Sequence, residues 1–333
     1  MAILRATCLL ALAFSLILCS WIAYSHYEHG GPALLDFAVM AGLPSKLPSI
    51  RPPFYTIAPW PGVWLTENAV AGFMFGWWLA ARRKEPALAL LLAIFTPLIV
   101  SLLVGQDSLL LLAVLVSVFI LLENKRPLPA GLFLAFLTVK FQLLPAFILL
   151  LVIRREWRAL AGFAVGSAIM IYPQLGSLGA YLTLLPAGLN AAAVMPCREC
   201  MPNLYALVSP TRWAILASFA VLIIGAIVSR RRPFPEQFAL AAVTALLASM
   251  HAHVYDCGLL FLAVALAVPF SGSRARTIAA AWAISPLPYL LPYYGESLRL
   301  IPALTAVTLW LMLLFLPVAR DESPPAPGEY RTA

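Results

Sequence analysis

The sequence predicts an all-α integral membrane protein, a bundle of about 10–12 transmembrane helices. Three observations lead to this fold class. Of the 333 residues, 62% are hydrophobic and only 11% are charged, whereas soluble domains are about half apolar and a quarter charged. The mean hydropathy is +0.92. Apolar runs recur along almost the whole chain, and most basic residues cluster between them.

The N-terminal run predicts an uncleaved first transmembrane helix. It follows a single early Arg5 and lacks an A-x-A-like cleavage site, so a signal peptide is the less favoured interpretation. Eleven further runs follow along the chain. The apolar runs cover 4–24, 62–81, 86–104, 108–122, 127–139, 141–153, 159–178, 212–229, 236–250, 257–270, 277–292 and 299–317.

The basic residues predict the orientation of the bundle. If Arg5 is cytoplasmic and all the runs cross, 16 of the 22 Lys and Arg residues lie on the cytoplasmic side, as the positive-inside rule requires. We therefore expect one membrane domain over 1–320 with both termini cytoplasmic, outer loops at 25–61 and 179–211, and a disordered tail at 321–333. This distribution accounts for most of the net charge of +8, so that charge does not indicate a nucleic-acid partner.

Five of the runs are too short to cross a membrane. None exceeds 15 residues, which as a helix reaches about 23 Å, less than the ~30 Å hydrocarbon core. Because each has a basic cluster at its cytoplasmic end, their outer ends should meet below the outer surface, where non-helical backbone must be buried or line a cavity. These runs are 108–122, 127–139, 141–153, 236–250 and 257–270.

Polar residues occupy the three predicted hairpin tips between these runs. They lie in "VGQDS" (104–108), "VKFQ" (139–142) and "MHAHVYD" (250–256). Charged groups inside membrane segments usually face a cavity. We predict that the three tips form the wall of one cavity that opens to the outer side.

Asp36 and Lys140 are the main candidates for chemistry. As a carboxylate facing a partly dehydrated cavity, Asp36 could act as a general base toward a hydroxyl; the alternative is a helix N-cap or a solvated loop acid. Lys140 suits an anion such as a phosphate, and its alternative is snorkelling to the outer interface.

The segment with His251, His253, Tyr255 and Asp256 has three interpretations: a hydrogen-bonding cluster in the cavity, a metal site, or a merely polar helix end. On a helix, the two histidines would point about 200° apart and chelate one ion poorly, so we expect no metal. "CREC" (197–200) lacks a second Cys or His pair for zinc; a local disulfide is one interpretation.

Residues 104–168 resemble glycosyltransferase family 87. The matches are Gly105–Gln106, Lys140 with Gln142, and the basic turn "RREWR" (154–158), while "MPNLYAL" (201–207) and "HAHVYD" (251–256) are similar to later family segments. "LDF" (35–37) falls where the family has a first-loop Asp. The sequence departs from the pattern in having Asp107 where Asn or Ser is usual and Phe141 where Pro is usual.

The resemblance implies a GT-C fold and an inverting hexosyltransferase, with mannose the expected sugar. The donor would be a polyprenyl-phosphate sugar and the acceptor a lipid or a glycan, with no cofactor or metal. The enzyme would lie among the lipids of a bacterial inner membrane and act on its outer face. A transporter or flippase of lipid or lipid-linked sugar is the alternative, and a non-catalytic scaffold is a third. The implied roles are Asp36 as catalytic base; Lys140, Gln142 and His251 for the donor phosphate; and Gln106, Asp107, His253, Tyr255 and Asp256 for sugar or acceptor.

Overall fold

The computed structural model describes residues 2–29, 60–172, 198–209, 211–267 and 274–316, and every regular element in these ranges is a helix. This confirms the all-α prediction. In the first half, the α-helices are α1 (Ala2–Glu28), α2 (Pro61–Trp77), α3 (Pro86–Ala93), α4 (Thr96–Val104), α5 (Ser108–Glu123), α6 (Pro127–Leu134), α7 (Leu144–Ile153) and α8 (Trp157–Ile171). In the second half they are α9 (Leu204–Leu207), α10 (Thr211–Ser229), α11 (Phe234–Ala248), α12 (Gly258–Ala267), α13 (Arg274–Ile284), α14 (Leu287–Leu290) and α15 (Ile301–Phe315).

Shorter helical turns connect several of these helices. A π-helical turn, Trp78–Arg82, continues α2. The 3-10 helices are Ala135–Leu143, Arg198–Cys200, Val254–Cys257, Leu291–Tyr293 and Glu296–Leu298.

By length and composition, four described segments could cross a membrane, and a bent pair of helices could form a fifth span. These segments support a membrane protein. Several other apolar helices have only 10–17 residues, among them α5, α8 and α11. The four long segments are Ala2–Glu28, Pro127–Ile153, Thr211–Ser229 and Glu296–Phe315.

The apolar run at 86–104, which the sequence predicts as one span, is divided into two helices. α3 and α4 meet at an angle of 46°, and Phe95 between them has extended backbone. Pro97 in the first turn of α4 explains the break, because its ring excludes a continuous helix and its missing N–H is tolerated only at a helix start.

The segment Pro127–Ile153 is long and apolar enough to cross, but it is not one straight helix: it is a hairpin whose apex is Lys140. Lys140 has non-helical φ and ψ angles of −120° and 58°. α8, which follows α7 after three residues, lies against α6: a Cβ on Gly131 would stand 1.9 Å from the carbonyl oxygen of Ala159. The beginnings of α6 and α8 therefore lie at the same end of the bundle, and α7, which connects them in the chain, runs back toward that end. This confirms the predicted tip at Lys140.

The α11–α12 hairpin forms the centre of the bundle. Every residue of α12 is buried, and so are twelve of the fifteen residues of α11. Phe238 of α11 packs against Phe119 of α5 and Phe147 of α7, at centroid distances of 5.5 and 5.3 Å. A helix that is apolar on all sides is stable only inside such a bundle. The hairpin therefore provides a fixed frame for the polar tip between its helices.

Three helix connections at the opposite end of the bundle share one backbone geometry. Lys84, Lys125 and Arg155 have left-handed φ angles of 60°, 56° and 57°. The following residue in each case donates its N–H to a carbonyl six or five residues earlier: Glu85 to Leu79, Arg126 to Leu121 and Glu156 to Leu151. Such bonds satisfy carbonyls at helix C-termini, where positive charge is also favourable. Each basic side chain nevertheless occupies a conformation that costs about 1–2 kcal/mol outside glycine.

A buried ion cluster ties the same end together. The Glu236 carboxylate, 3% exposed, lies 2.8 Å from Arg276 of α13 and 3.0 Å from Arg232. Both arginines also donate to the Leu316 carbonyl after α15. The cluster joins α11, α13 and α15, and neither its pairing nor its burial was predicted from the sequence.

Candidate functional site

A buried ion pair joins two of the three predicted tips. Lys140 Nζ lies 2.5 Å from Asp256 Oδ1, and the side chains are 10% and 4% exposed. Lys140 is at the apex between α6 and α7, and Asp256 lies in the 3-10 turn between α11 and α12. The pair therefore links positions 116 residues apart in the sequence. Lys140 does not snorkel to the surface, because it is only 8% exposed.

The surroundings of Lys140 hold it in place. Its ammonium group lies 4.7 Å from the centroid of the Tyr255 ring, a distance at which a cation interacts favourably with an aromatic face. Gln142, two residues further, donates from Nε2 to the His251 carbonyl at 3.2 Å. Both polar residues of the "VKFQ" tip thus contact the "MHAHVYD" tip.

Asp256 uses both carboxylate oxygens within the protein. Oδ1 accepts from Lys140, and Oδ2 accepts from the backbone N–H of His253 at 2.9 Å. α11 ends at Ala248, the following Ser249 has extended backbone, and the next helical turn begins only at Val254. The carboxylate therefore stabilises both the ammonium group and the non-helical backbone before it.

The two histidines form a contact that helical spacing would not allow. Their Nε2 atoms lie 3.0 Å apart, and the rings are nearly perpendicular at a centroid distance of 4.6 Å. The expectation that they point apart on a helix is wrong, because 249–253 is not helical. At this distance one ring donates its Nε2–H to the Nε2 of the other as a hydrogen bond, so the two rings share one exchangeable proton.

The third tip contains Gln106 and Asp107, both buried. Gly105 ends α4 with a φ of 87°, a left-handed conformation that glycine adopts without strain. Asp107 Oδ1 accepts from the indole N–H of Trp64 at 2.9 Å. The role of Trp64 could not be predicted from the sequence, because it lies 43 residues earlier, in α2.

This third tip adjoins the other two. α4 packs against the 3-10 turn Val254–Cys257. Ser108, the first residue of α5, lines one small cavity together with Tyr255 and Asp256. The described parts of all three predicted tips are therefore neighbours, as expected from the lengths of their helices.

Asn203, within "MPNLYAL" (201–207), is a further polar residue of this region. It is fully buried. Its Oδ1 caps α9 by accepting from the N–H groups of Tyr205 and Ala206, and its Nδ2 donates to the Ser249 carbonyl at 2.9 Å. Asn203 thus anchors the segment 201–207 to the start of the histidine tip.

Some sequence-predicted features lie outside the described residues. Asp36, the predicted base, and Cys197 of "CREC" belong to such ranges. Cys200 is disulfide-bonded, while Cys8, Cys19 and Cys257 are free thiols. Within the described ranges, no three His, Cys, Asp or Glu side chains are grouped closely enough to hold a metal ion.

The arrangement is suited to binding an anion next to a proton donor. Lys140 offers a fixed ammonium group, and the histidine pair offers an exchangeable proton. Lys140 is buried, and the two histidines beside it are half-buried. Electrostatic interactions are stronger there than in water. The Lys140 ammonium group has three hydrogens and donates one to Asp256, so it can also donate to an anionic group beside it.

The model of the family described as Glycosyltransferase family 87 matches residues 32–252, about two thirds of the chain. The match includes Asp36, Gln106, Lys140 and His251, and it ends shortly before Asp256. No curated protein matches the chain, and no solved structure does.

Proposed function

The chain belongs to glycosyltransferase family 87, and on this basis we propose that it transfers a hexose, mannose, from a polyprenyl-phosphate donor to a lipid or glycan acceptor. We place the reaction at the outer face of a bacterial inner membrane. Family membership makes the chain a glycosyltransferase, which decides against a transporter or a scaffold. The sugar, the lipid-linked donor, the acceptor and the membrane face are our proposals.

The observation that carries the proposal is the buried Lys140 where the polar tips meet. A polyprenyl-phosphate donor presents a phosphate close to the membrane surface. Lys140 lies in a membrane bundle, held by Asp256 at 2.5 Å and by the Tyr255 ring. Maintaining a buried charge is costly and usually marks a functional site. A phosphate that develops charge during the reaction is a reason to maintain it.

The proposed reaction is a single displacement with inversion. The acceptor oxygen bonds to the anomeric carbon of the sugar, and the bond from that carbon to the phosphate oxygen breaks, leaving its electron pair on the phosphate. In our proposal Asp36 takes the proton of the acceptor hydroxyl. Lys140 stabilises the negative charge that grows on the departing phosphate.

The other tip residues position these groups. Asp256 orients Lys140, and Gln142 fixes the His251 carbonyl. We assign His251 to the donor phosphate, where a proton held with His253 could offset charge. Gln106, Asp107, His253 and Tyr255 then surround the sugar or acceptor and restrict its orientation. The donor carries its own leaving group, so the proposal includes no cofactor or metal.

The proposed membrane face follows from the ends of the bundle. The polar tips lie at one end, and the basic turns with Lys84, Lys125 and Arg155 lie at the other. Basic turns are retained on the cytoplasmic side. The tips would then face outward, where nucleotide sugars made in the cytoplasm are absent and a lipid-linked donor is needed.

The test is a transfer assay with the purified full chain in lipid nanodiscs. Polyprenyl-phosphate mannose, polyprenyl-phosphate glucose and nucleotide sugars are supplied separately with a lipid extract as acceptor, and products are identified by mass spectrometry. We expect product from the mannose lipid. Efficient transfer from a nucleotide sugar would overturn the proposed donor.

Two variants test the assigned residues, with Lys125→Gln as an exposed control. We expect Asp36→Asn and Lys140→Met to lower kcat by about 100-fold or more, with the control at the wild-type rate. Wild-type kcat in Asp36→Asn would refute the base assignment, and wild-type kcat in Lys140→Met would refute the phosphate assignment.

A further inference from the structure

A basic groove of about 560 Å³ lies at the end of the bundle opposite the transfer site. The groove and the transfer site lie at the two ends of α11. Gln237, in the first turn of α11, lines the groove, whereas Ser249, just after its last turn, adjoins the histidine tip. These two residues are about 18 Å apart along the helix. The volume is within the usual range for small-molecule sites. The groove is lined by Val152, Ile153, Arg154, Arg155, Arg230 and Gln237.

The charge of the groove is only partly neutralised. Arg154 is held by Gln237, which accepts at 2.8 Å, and by stacking on Phe234 at 4.3 Å. Its nearest carboxylate, on Glu156, is 3.8 Å away, and its buried Nε–H has no hydrogen-bond partner among the described residues. Within the same ranges, Arg155 and Arg230 form no ion pair. Of the three arginines, only Arg154 thus has a carboxylate within 4 Å among the described residues.

Arg155 occupies this position in spite of its backbone. Its φ of 57° is a conformation that glycine would adopt without strain. An arginine there keeps a positive charge at the rim of the groove although the backbone opposes it. Lys84 and Lys125 have the same geometry, so it is the position of Arg155 at the groove that distinguishes it from them.

An apolar crevice continues from the groove between α7, α10 and α11. It shares Ile153 and Gln237 with the groove and is otherwise bordered mainly by small and aliphatic side chains, among them Ala146, Leu150, Leu222, Gly225 and Ala226. The crevice encloses only about 10 Å³, so a lipid with its phosphate in the groove would lay an acyl chain along the outside of the crevice, a contact that a soluble anion would not make.

We propose that the groove and crevice together bind an anionic phospholipid, with the phosphate of the headgroup held by Arg154, Arg155 and Arg230. Basic pockets between transmembrane helices are suited to such headgroups, and guanidinium groups pair well with phosphate oxygens. The site is distinct from the proposed transfer site and does not depend on the donor or acceptor.

The test measures lipid binding to the purified full chain in neutral detergent by native mass spectrometry. Phosphatidylglycerol, phosphatidylcholine and inorganic phosphate are titrated separately, and inorganic phosphate is also added as a competitor. The double variant Arg155→Gln/Arg230→Gln is compared with Lys125→Gln/Arg231→Gln. The control removes the same charge, and Lys125 shares the left-handed backbone of Arg155, with a φ of 56°.

We expect the wild type and the control to bind phosphatidylglycerol equally. The groove variant should bind it about 30-fold more weakly, because each of the two lost charges contributes about a fivefold gain in affinity for an anionic lipid. Ala226→Leu, which would fill the crevice, should weaken lipid binding without changing phosphate binding. Equal losses in the two double variants, or equal affinity for phosphatidylcholine, would overturn the proposal. Displacement of the lipid by an equal concentration of inorganic phosphate would identify a soluble anion instead and overturn the assignment to lipid.

Discussion

Removing either partner of the Lys140–Asp256 pair should destabilise the protein far more than removing both. Lys140→Met deletes the ammonium group but keeps a similar volume, and Asp256→Asn deletes the negative charge but keeps an acceptor for the His253 N–H. Each single variant leaves one buried ion beside a neutral group. The double variant leaves none.

The magnitude follows from distance and burial. Two unit charges 2.5 Å apart attract by about 6–7 kcal/mol at an effective dielectric constant of 20, before desolvation is subtracted. Breaking a buried pair from one side typically costs about 3–5 kcal/mol, whereas replacing both partners can be almost neutral. We therefore expect single losses of about 3–5 kcal/mol, a double loss no larger than either, and a coupling free energy of about 3 kcal/mol or more.

The assay is reversible unfolding of purified protein in mixed micelles with increasing sodium dodecyl sulfate, followed by circular dichroism. The pair Arg299–Glu296 is the control, because its side chains are 36% and 85% exposed at 3.2 Å; its coupling should stay below about 1 kcal/mol. Additive losses for Lys140→Met and Asp256→Asn would show that the two charges do not depend on each other, and the reasoning about this pair would be refuted.

Three further predictions use the same unfolding assay. Trp64→Phe removes the donor to the buried Asp107 carboxylate and should cost about 1.5–3 kcal/mol; a loss below about 0.5 kcal/mol would contradict the bond. Gly131→Ala introduces a Cβ 1.9 Å from the Ala159 carbonyl and should cost about 1–3 kcal/mol as α6 and α8 separate; an unchanged midpoint would disprove the close approach. Lys125→Gly relieves a left-handed backbone and should stabilise by up to about 1 kcal/mol, whereas destabilisation would show that its charge at the helix C-terminus matters more.

The meeting of the three tips could be predicted from the sequence because it depends on length alone. Runs of at most 15 residues cannot cross the core, so their ends must meet inside it. The Lys140–Asp256 contact confirms this for two tips, and the cavity shared by Ser108 and Asp256 includes the third. Hydropathy thus determined which polar residues become neighbours, but not their pairing.

The pairings themselves depend on backbone that has no periodic signature. The histidine contact exists because 249–253 is not helical, and a helical wheel excludes it. Trp64 belongs to a run that reads as ordinary apolar helix, so nothing in its neighbourhood indicates a bond to Asp107. The break between α3 and α4 was also missed, although Pro97 was visible, because the apolar pattern continues across it.

The span of 116 residues between Lys140 and Asp256 has a consequence for biosynthesis. At about 5–20 residues per second, the ribosome adds Lys140 roughly 6–23 s before it reaches Asp256. During that interval the hairpin carries an unneutralised ammonium group, for which insertion into the membrane costs about 2.5–3.5 kcal/mol. The aliphatic side chains of α6 and α7 have to offset this cost. A nascent chain truncated before residue 256 should consequently hold this hairpin in the membrane less firmly than the finished protein does.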